Sequence, residues 1–554
     1  MRLIFLLYFL GISVLGFTQQ RTVGVTQYTD RVSEGLVFFC PSTTDCYLVD
    51  ECGKLVNEWD RVYRPGLAAR LLDNGLMLRT FKVPDPELNQ ASEGGGIELI
   101  DGDNNAIGIY IVNDDNIIQH HDAIMMPNGN ILLLAWERLT SAELDGYGAI
   151  ASNLWSEIVY EIELVDESNY NIVWEWNLRN QFIQEIDPSL DNYAIISENI
   201  GKVNVNYKGP TAFGGAESWH CNAIDYNEEL DQILVNSRSN SEAWIIDHST
   251  TTAEAATDTG GNSGKGGQLL YRWGNPASYN RGTLADMKMF GSHGLHWIEQ
   301  GLPNAGKLLF FNNGDERPGF NLYSTVEMIQ PVMEDDVYLT NNNAIYFPLE
   351  SELVYRAENP EDFYSTYLSN AQQLENGNVF INEGGDSRFF EVDPSDNSIV
   401  WEYISPVYFS GFLPEDANPS NSRTFRAYKY PRDFSGFEGW DLSSGDVLEL
   451  GGELELECAT FVSVEDQDLD RFAQMWSVFP NPVSSENKII IETTEEESYV
   501  KASLQIVDAH GQKIRSYDIE NGTKEIDIDA WSPGVYYCII RSRDDVATLK
   551  FFKM

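Results

Sequence analysis

Leu374-Glu375-Asn376-Gly377-Asn378-Val379-Phe380-Ile381 is the stretch from which the fold can be read. An Asn-Gly turn opens it and a hydrophobic run follows. It continues through Phe389-Phe390-Glu391-Val392-Asp393 and closes with Ile399-Val400-Trp401-Glu402-Tyr403. Asn and Gly accept the positive φ angles of a tight hairpin turn. Val, Ile, Phe, Tyr and Trp suit a packed pleated surface. The stretch therefore reads as successive antiparallel strands.

The unit recurs. A second copy runs Pro127-Asn128-Gly129-Asn130-Ile131-Leu132, then Val159-Tyr160-Glu161-Ile162, then Ile172-Val173-Trp174-Glu175-Trp176. Weaker copies open at Asp73-Asn74-Gly75 and at Pro303-Asn304-Ala305-Gly306-Lys307. Half-units run from Tyr47 to Trp59 and from Trp244 to Gly274. Helical periodicity is nearly absent. Repeated antiparallel sheets that bury their faces against the next sheet make a β-propeller. The expected fold is all-β, with roughly six blades between residues 40 and 450 and a small C-terminal β-sandwich. The Tyr47–Trp59 half-unit is either a piece that closes the ring or a separate N-terminal module.

A chain of 554 residues exceeds one ordinary domain, so two or three are expected. Arg2, the apolar run Leu3 to Leu15 and Gly16-Phe17-Thr18 have the pattern of a secretory leader over residues 1–18. No later run reaches the roughly 18 apolar residues of a membrane span, so membrane insertion is not expected. The formal charge of −50 argues against nucleic acid as a partner. It does not exclude an anionic substrate, because charges beyond about 8 Å are screened and local cations decide. Export permits disulfides among the six cysteines, and Cys40, Cys46 and Cys52 cluster closely enough for one local bridge. The pairing is not legible. Cys221 beside His220 reads as a buried structural thiol, since adjacent strand residues point to opposite faces.

The propeller is expected over 19–450 and an acidic linker over 451–475. A compact unit follows at 476–554. It carries Phe479-Pro480-Asn481-Pro482, Val507-Asp508-Ala509-His510-Gly511, Pro533-Gly534-Val535-Tyr536-Tyr537 and Lys550-Phe551-Phe552-Lys553. This unit resembles the C-terminal sorting domain of type IX secretion cargo. The resemblance implies passage through the periplasm and a secreted or cell-surface protein, with the secretion machinery as a partner. His510 falls on a turn and reads as non-catalytic.

Five of the seven histidines fall in three short segments beside predicted strands: Gln119-His120-His121-Asp122, Trp219-His220-Cys221-Asn222 and Ser292-His293-Gly294-Leu295-His296. A fourth segment, Ser237-Arg238-Ser239, adds an arginine. Residues from different blades meet only near a propeller's axis, so the spacing suits one axial site. Histidine supplies acid, base or nucleophile near neutral pH, and arginine clamps oxyanions with its planar fork.

These segments also resemble the nucleotide-independent arylsulfate sulfotransferases. The matching runs include Tyr63-Arg64-Pro65-Gly66-Leu67, Met126-Pro127-Asn128-Gly129-Asn130, Asn236-Ser237-Arg238 and Leu308 to Gly314 with Arg317. The resemblance implies a six-bladed propeller, a transient sulfohistidine and sulfuryl transfer from a phenolic sulfate donor to a phenol acceptor. His293 is the expected nucleophile, with His296 as the alternative. His220 is the expected acid and base, Arg238 the clamp and His121 an oxyanion donor, with His120 competing for that place. Arg317 and Trp219 are candidate substrate contacts, and Trp297 also offers a ring, with core packing the competing reading of both tryptophans.

No cofactor is implied. There is no P-loop for a nucleotide donor, and no metal site is expected. Asp466-Gln467-Asp468-Leu469-Asp470 and Asp101-Gly102-Asp103 both lack the later glycine and glutamate of a calcium loop. His248 lies at a turn and reads as a surface residue. Two competing functions would use the same site: ligand binding without turnover, for instance of a sulfated glycan, and hydrolysis of a sulfate ester.

Overall fold

The computed structural model describes residues 22–86, 88, 94–212, 216–318, 322–409, 411–418, 423–451, 476–480, 488–493, 502–508, 513–519, 523–532, 534–542 and 545–553. The expected leader, the linker beyond Gly451, and His510 lie outside the described residues. The chain divides into two compact units, residues 1–458 and 459–554.

The first unit is a β-propeller. Its six larger antiparallel sheets, among the described residues, hold four or five strands each. Their inner strands are Pro65–Leu71, Ile117–Met125, Cys221–Asn227, His293–Trp297, Asn370–Gln373 and Thr424–Tyr430. Each touches the next, and the last returns to the first, so the inner strands close a ring.

The hydrophobic runs explain why the ring forms. In Leu308-Leu309-Phe310-Phe311, Leu308 and Phe310 pack with Ala223, Leu234 and Ile245 of the preceding blade. Leu309 and Phe311 pack with Ala371, Val379 and Ile381 of the following blade. Ile131 to Leu134 divide in the same way between their two neighbours. Side chains alternate across a strand, so a strand buried on both faces must be apolar at consecutive positions. A single blade would leave one of those faces in water.

The recurring tryptophans pin neighbours together. Trp59 donates its indole N–H to Asp101 O at 2.9 Å, Trp174 to Thr250 O at 2.8 Å, and Trp401 to Glu51 O at 2.7 Å. In each case a tryptophan on the fourth strand out from the axis in one blade holds a turn of the next. The Asn-Gly turns have the expected left-handed glycines, with φ of 86° at Gly129 and 95° at Gly377.

Ring closure joins the two ends of the unit. Leu36–Pro41, Cys46–Val49 and Leu55–Trp59 receive Thr424–Tyr430 as their innermost strand. Gly24–Tyr28 pairs with Ser398–Ile404 in the preceding blade. The Tyr47–Trp59 half-unit is therefore part of a ring blade and not a separate module. Cys40 and Cys46 form the local disulfide, Cys52 is also disulfide-bonded, and Cys221 and Cys538 are buried thiols.

The second unit is a β-sandwich. Trp476–Phe479, Lys488–Thr493 and Thr523–Asp527 form one sheet. Lys513–Ile519, Ala502–Asp508, Gly534–Ser542 and Asp545–Lys553 form the other. Ile489, Ile491, Leu504, Ile506, Cys538 and Ile540 fill the core between them.

Candidate active site

Five of the six inner strands break register with the strand beside them. The breaks fall between Pro65 and Ala69, around His121, at Asn222, between His293 and His296, and near Arg426. Bulges of this kind re-aim side chains. Leu67, His121, His220 and Leu368 hold positive φ values of 105°, 50°, 48° and 60°. A non-glycine residue costs roughly 1–3 kcal/mol in such a conformation, and that strain concentrates at functional sites. All four line one cavity of about 430 Å³.

The cavity gathers His121 and His293 from separate inner strands, and His220 and Arg238 from the loops beside Cys221–Asn227 and Gln232–Ser237. Arg64, Lys82 and Arg423 add three further cations, and Tyr367, Phe409 and Phe425 supply aromatic walls. Among the described residues, no aspartate or glutamate lines it. A chain of net charge −50 has thus placed only cations among the charged residues that line a cavity with three histidines, among the described residues.

Hydrogen bonds set the tautomer of His293. Asn313 donates its amide N–H groups to Ser365 O at 2.7 Å and Leu368 O at 3.2 Å. Its Oδ1 is therefore the acceptor facing His293 Nδ1 at 2.7 Å. His293 carries its proton on Nδ1, which leaves a lone pair on Nε2. The Leu368 N–H donates a long, 3.3 Å hydrogen bond to that lone pair. Burial, and then the charge of Arg238, push His293 well below the ordinary histidine range, so the ring is neutral at neutral pH.

His121 Nε2 lies 3.2 Å from His220 Nε2, and His220 Nδ1 lies 3.1 Å from Glu217 Oε2. Burial lowers both rings, and for His220 Glu217 opposes the effect. Arg238 is fully buried and donates to Thr211 O at 2.6 Å and to Asp315 Oδ2 at 2.9 Å. These two bonds fix the plane of its guanidinium.

The other sequence candidates go elsewhere. His296 lies three residues along the same strand and opens on a second cavity of about 470 Å³, with Trp297, Arg70, Asp225, Arg426 and Tyr428. In the wall of this second cavity Arg426 pairs with the buried Asp122 at 2.7 Å. Of the two candidate nucleophiles, the geometry brings only His293 to the cluster. Trp219 is buried and stacks on Phe182 at 5.0 Å, so it packs the core. Arg317 sits over Phe290 and Tyr323 at 4.8 and 4.6 Å, outside the cavity. His120 turns away from the cavity, stacked on Trp136 at 4.0 Å. His248 is no surface residue: it lies between Asp231 at 2.6 Å and Glu161 at 3.0 Å.

Asn313 lies within the matching run Leu308 to Gly314, with no role assigned to it. Lys82 and Arg423 lie outside the repeats' signature positions. Their only signal was positive charge in an acidic chain. No group of acidic, histidine or cysteine side chains among the described residues is arranged to hold a metal ion.

The family model described as Arylsulfotransferase (ASST) matches residues 102–405, more than half of the chain. It spans His121, His220, Arg238 and His293, while Arg64, Lys82 and Arg423 fall outside it. The model described as a secretion system C-terminal sorting domain matches residues 477–554. Comparison with curated proteins gives no match. Among solved structures, a protein of unknown function from Bacteroides caccae is 12% identical with a TM-score of 0.35, covering 67% of this chain and 94% of that one. A protein from Lactobacillus plantarum is 8% identical with a TM-score of 0.33, covering 89% and 100%. Likenesses at these scores carry no argument; the propeller rests on its own ring of strands.

Proposed function

The chain belongs to the arylsulfotransferase family, and from that premise we propose that it moves a sulfuryl group from a phenolic sulfate ester to a phenol through a sulfohistidine on His293. The observation that carries this reading is the Nε2 lone pair of His293, held by Asn313 in a cavity whose charged lining is entirely cationic.

In the first half-reaction Nε2 attacks sulfur. The N–S bond forms as the bond from sulfur to the aryl oxygen breaks, and the electron pair leaves on the phenolate. His220 supplies that oxygen with a proton. Arg238 and His121 bind the sulfuryl oxygens, where in-line transfer places negative charge. His293 keeps its Nδ1 proton against Asn313, so the sulfated ring is cationic and a good leaving group. In the second half-reaction His220 takes the proton of the incoming phenol. The phenol oxygen attacks sulfur, and the N–S pair returns to Nε2. Tyr367, Phe409 and Phe425 offer faces for the phenyl rings.

The sorting domain supports export to the cell surface or the medium. We assign that export to the type IX secretion machinery.

The test is to incubate the protein with a nitrophenyl sulfate and a phenol, then seek a sulfated histidine by mass spectrometry. Phenol-dependent nitrophenol release, with the modification on His293, is expected. Free sulfate without acceptor would indicate a hydrolase, and donor recovered intact a binding protein; either replaces the proposal.

A further inference from the structure

Two cations of the active cavity have no counter-charge. Arg64 and Arg423 line it, and among the described residues neither side chain makes an ion pair or a hydrogen bond. Elsewhere in the same unit Arg61, Arg79, Arg179, Arg272 and Arg388 each meet a glutamate at 3.0 Å or less. The chain has 86 acidic residues against 36 basic ones. With acid in such excess, two guanidinium groups left without it at one cavity stand open to an anion from outside.

The transferring sulfuryl group has its own partners. Arg238, His121, His220 and His293 are buried, whereas Arg64 and Arg423 are exposed. Order around the ring separates the two sets. Arg64 precedes the inner strand Pro65–Leu71, and Arg423 precedes Thr424–Tyr430. Counting inner strands round the ring, His293 opens the third after Pro65–Leu71, and His220 precedes the third before Thr424–Tyr430. Three places in a ring of six is the opposite side. Aromatic rings reach both sets. Phe425 lies 6.3 Å from the His293 ring and 6.1 Å from His121, and Tyr367 lies under Arg423 at 5.3 Å.

Backbone contacts fix where the two arginines start. Ser42 donates to Arg423 O through its N–H at 2.8 Å and its hydroxyl at 3.0 Å. The Lys82 N–H donates to Arg64 O at 2.9 Å. Ser42 and Lys82 also line the cavity.

We propose that the sulfate donor is a phenolic sulfate whose ring carries a second anionic group, and that Arg64 and Arg423 bind that group across the axis from His293. The proposal rests on the transfer reading above and names the substrate class of that site. The donor is then held at both ends, with its ring along Phe425 and Tyr367. A guanidinium fork suits a planar carboxylate or a sulfate oxyanion. A donor with a neutral far end leaves both forks to water.

The experiment compares 4-carboxyphenyl sulfate with 4-carbamoylphenyl sulfate, which has nearly the same shape and one charge fewer. With the full chain and a phenol acceptor, KM should be at least about tenfold lower for the carboxylate. The net charge of the chain repels a second anion, so a preference for it must come from local cations. In the Arg64→Gln/Arg423→Gln double variant the two KM values should lie within about twofold. Both side chains are exposed, so the double variant should fold. A second arm needs no turnover. Calorimetry of the same two donors on His293→Ala protein, with and without the double substitution, should show the same preference and the same loss. This arm decides the second-anion site even if transfer does not occur. Equal affinity for the two donors, no binding of the carboxylate, or a preference kept by the double variant would overturn the proposal.

Discussion

His293 and His248 are the same residue type in one propeller, each with both ring nitrogens engaged, yet their surroundings drive them in opposite directions. His293 faces the neutral amide of Asn313, and burial with the nearby Arg238 charge pushes it well below its ordinary range. His248 clamps two neighbouring blades through Asp231 and Glu161. Burial alone would lower it, but the two carboxylates outweigh that and raise it. Glu161 in turn is pulled down to about 2, first by its hydrogen bond to His248. The difference separates two settings of imidazole: a ring whose neutral form is favoured beside the cavity's cations, and a ring whose protonated form is favoured by the two carboxylates it ties together.

The contrast is sharpest in catalysis. His293→Ala should reduce transfer to background in the nitrophenyl sulfate assay, whereas His248→Gln should leave kcat within about twofold. Activity retained by His293→Ala would remove the axial ring from the chemistry. Next in size, Arg238→Lys should cost about 10²–10³ in kcat, because an ammonium cannot reproduce the planar fork held by Thr211 and Asp315. A change confined to KM would mean that the guanidinium binds substrate and transition state alike.

Stability should show the opposite signs. The raised His248 contributes fully below about 6.5, its unfolded value, and that contribution fades as pH rises through its higher folded value. His248→Gln should therefore destabilise by about 1.5–3 kcal/mol at pH 5 and by less above neutrality, read from denaturant unfolding. The depressed His293 behaves inversely. Below about 6.5 the unfolded chain takes up a proton that the folded ring refuses, so stability falls as pH falls. His293→Asn should flatten that acid limb; an unchanged limb would contradict the assignment. The smallest effect belongs to the rim of the cavity. Arg423 is exposed over Tyr367 at 5.3 Å. Arg423→Gln should raise KM for a sulfate donor only several-fold, about 1 kcal/mol or less, with the difference shrinking in high salt.

Much of this was legible in advance. Asn-Gly turns, doubly apolar runs and recurring Trp-Glu pairs announce blades, because local turn geometry and two-sided burial act within a few residues. The segments carrying His121, His220, Arg238 and His293 were also readable as neighbours of strands: His121 lies within an inner strand, His293 opens one, His220 precedes one, and Arg238 follows the strand paired with it. The choice between His293 and His296 was not. Strand alternation says that the two diverge, but the bulge and the direction along the axis decide which cavity each reaches. Trp219 and Arg317 were misplaced for a related reason: an aromatic or a cation near a site residue in sequence can turn into the core or onto neighbouring rings.

Composition and period determine an exported-looking, acidic, all-β chain of stacked sheets, because those properties are set residue by residue. Closure of the ring by Thr424–Tyr430 on Leu36–Pro41 and the cationic lining from Arg64, Lys82 and Arg423 follow only from the folded molecule. Each joins residues tens to hundreds of positions apart, and their contact depends on blades converging at one axis, a distance that no local pattern encodes.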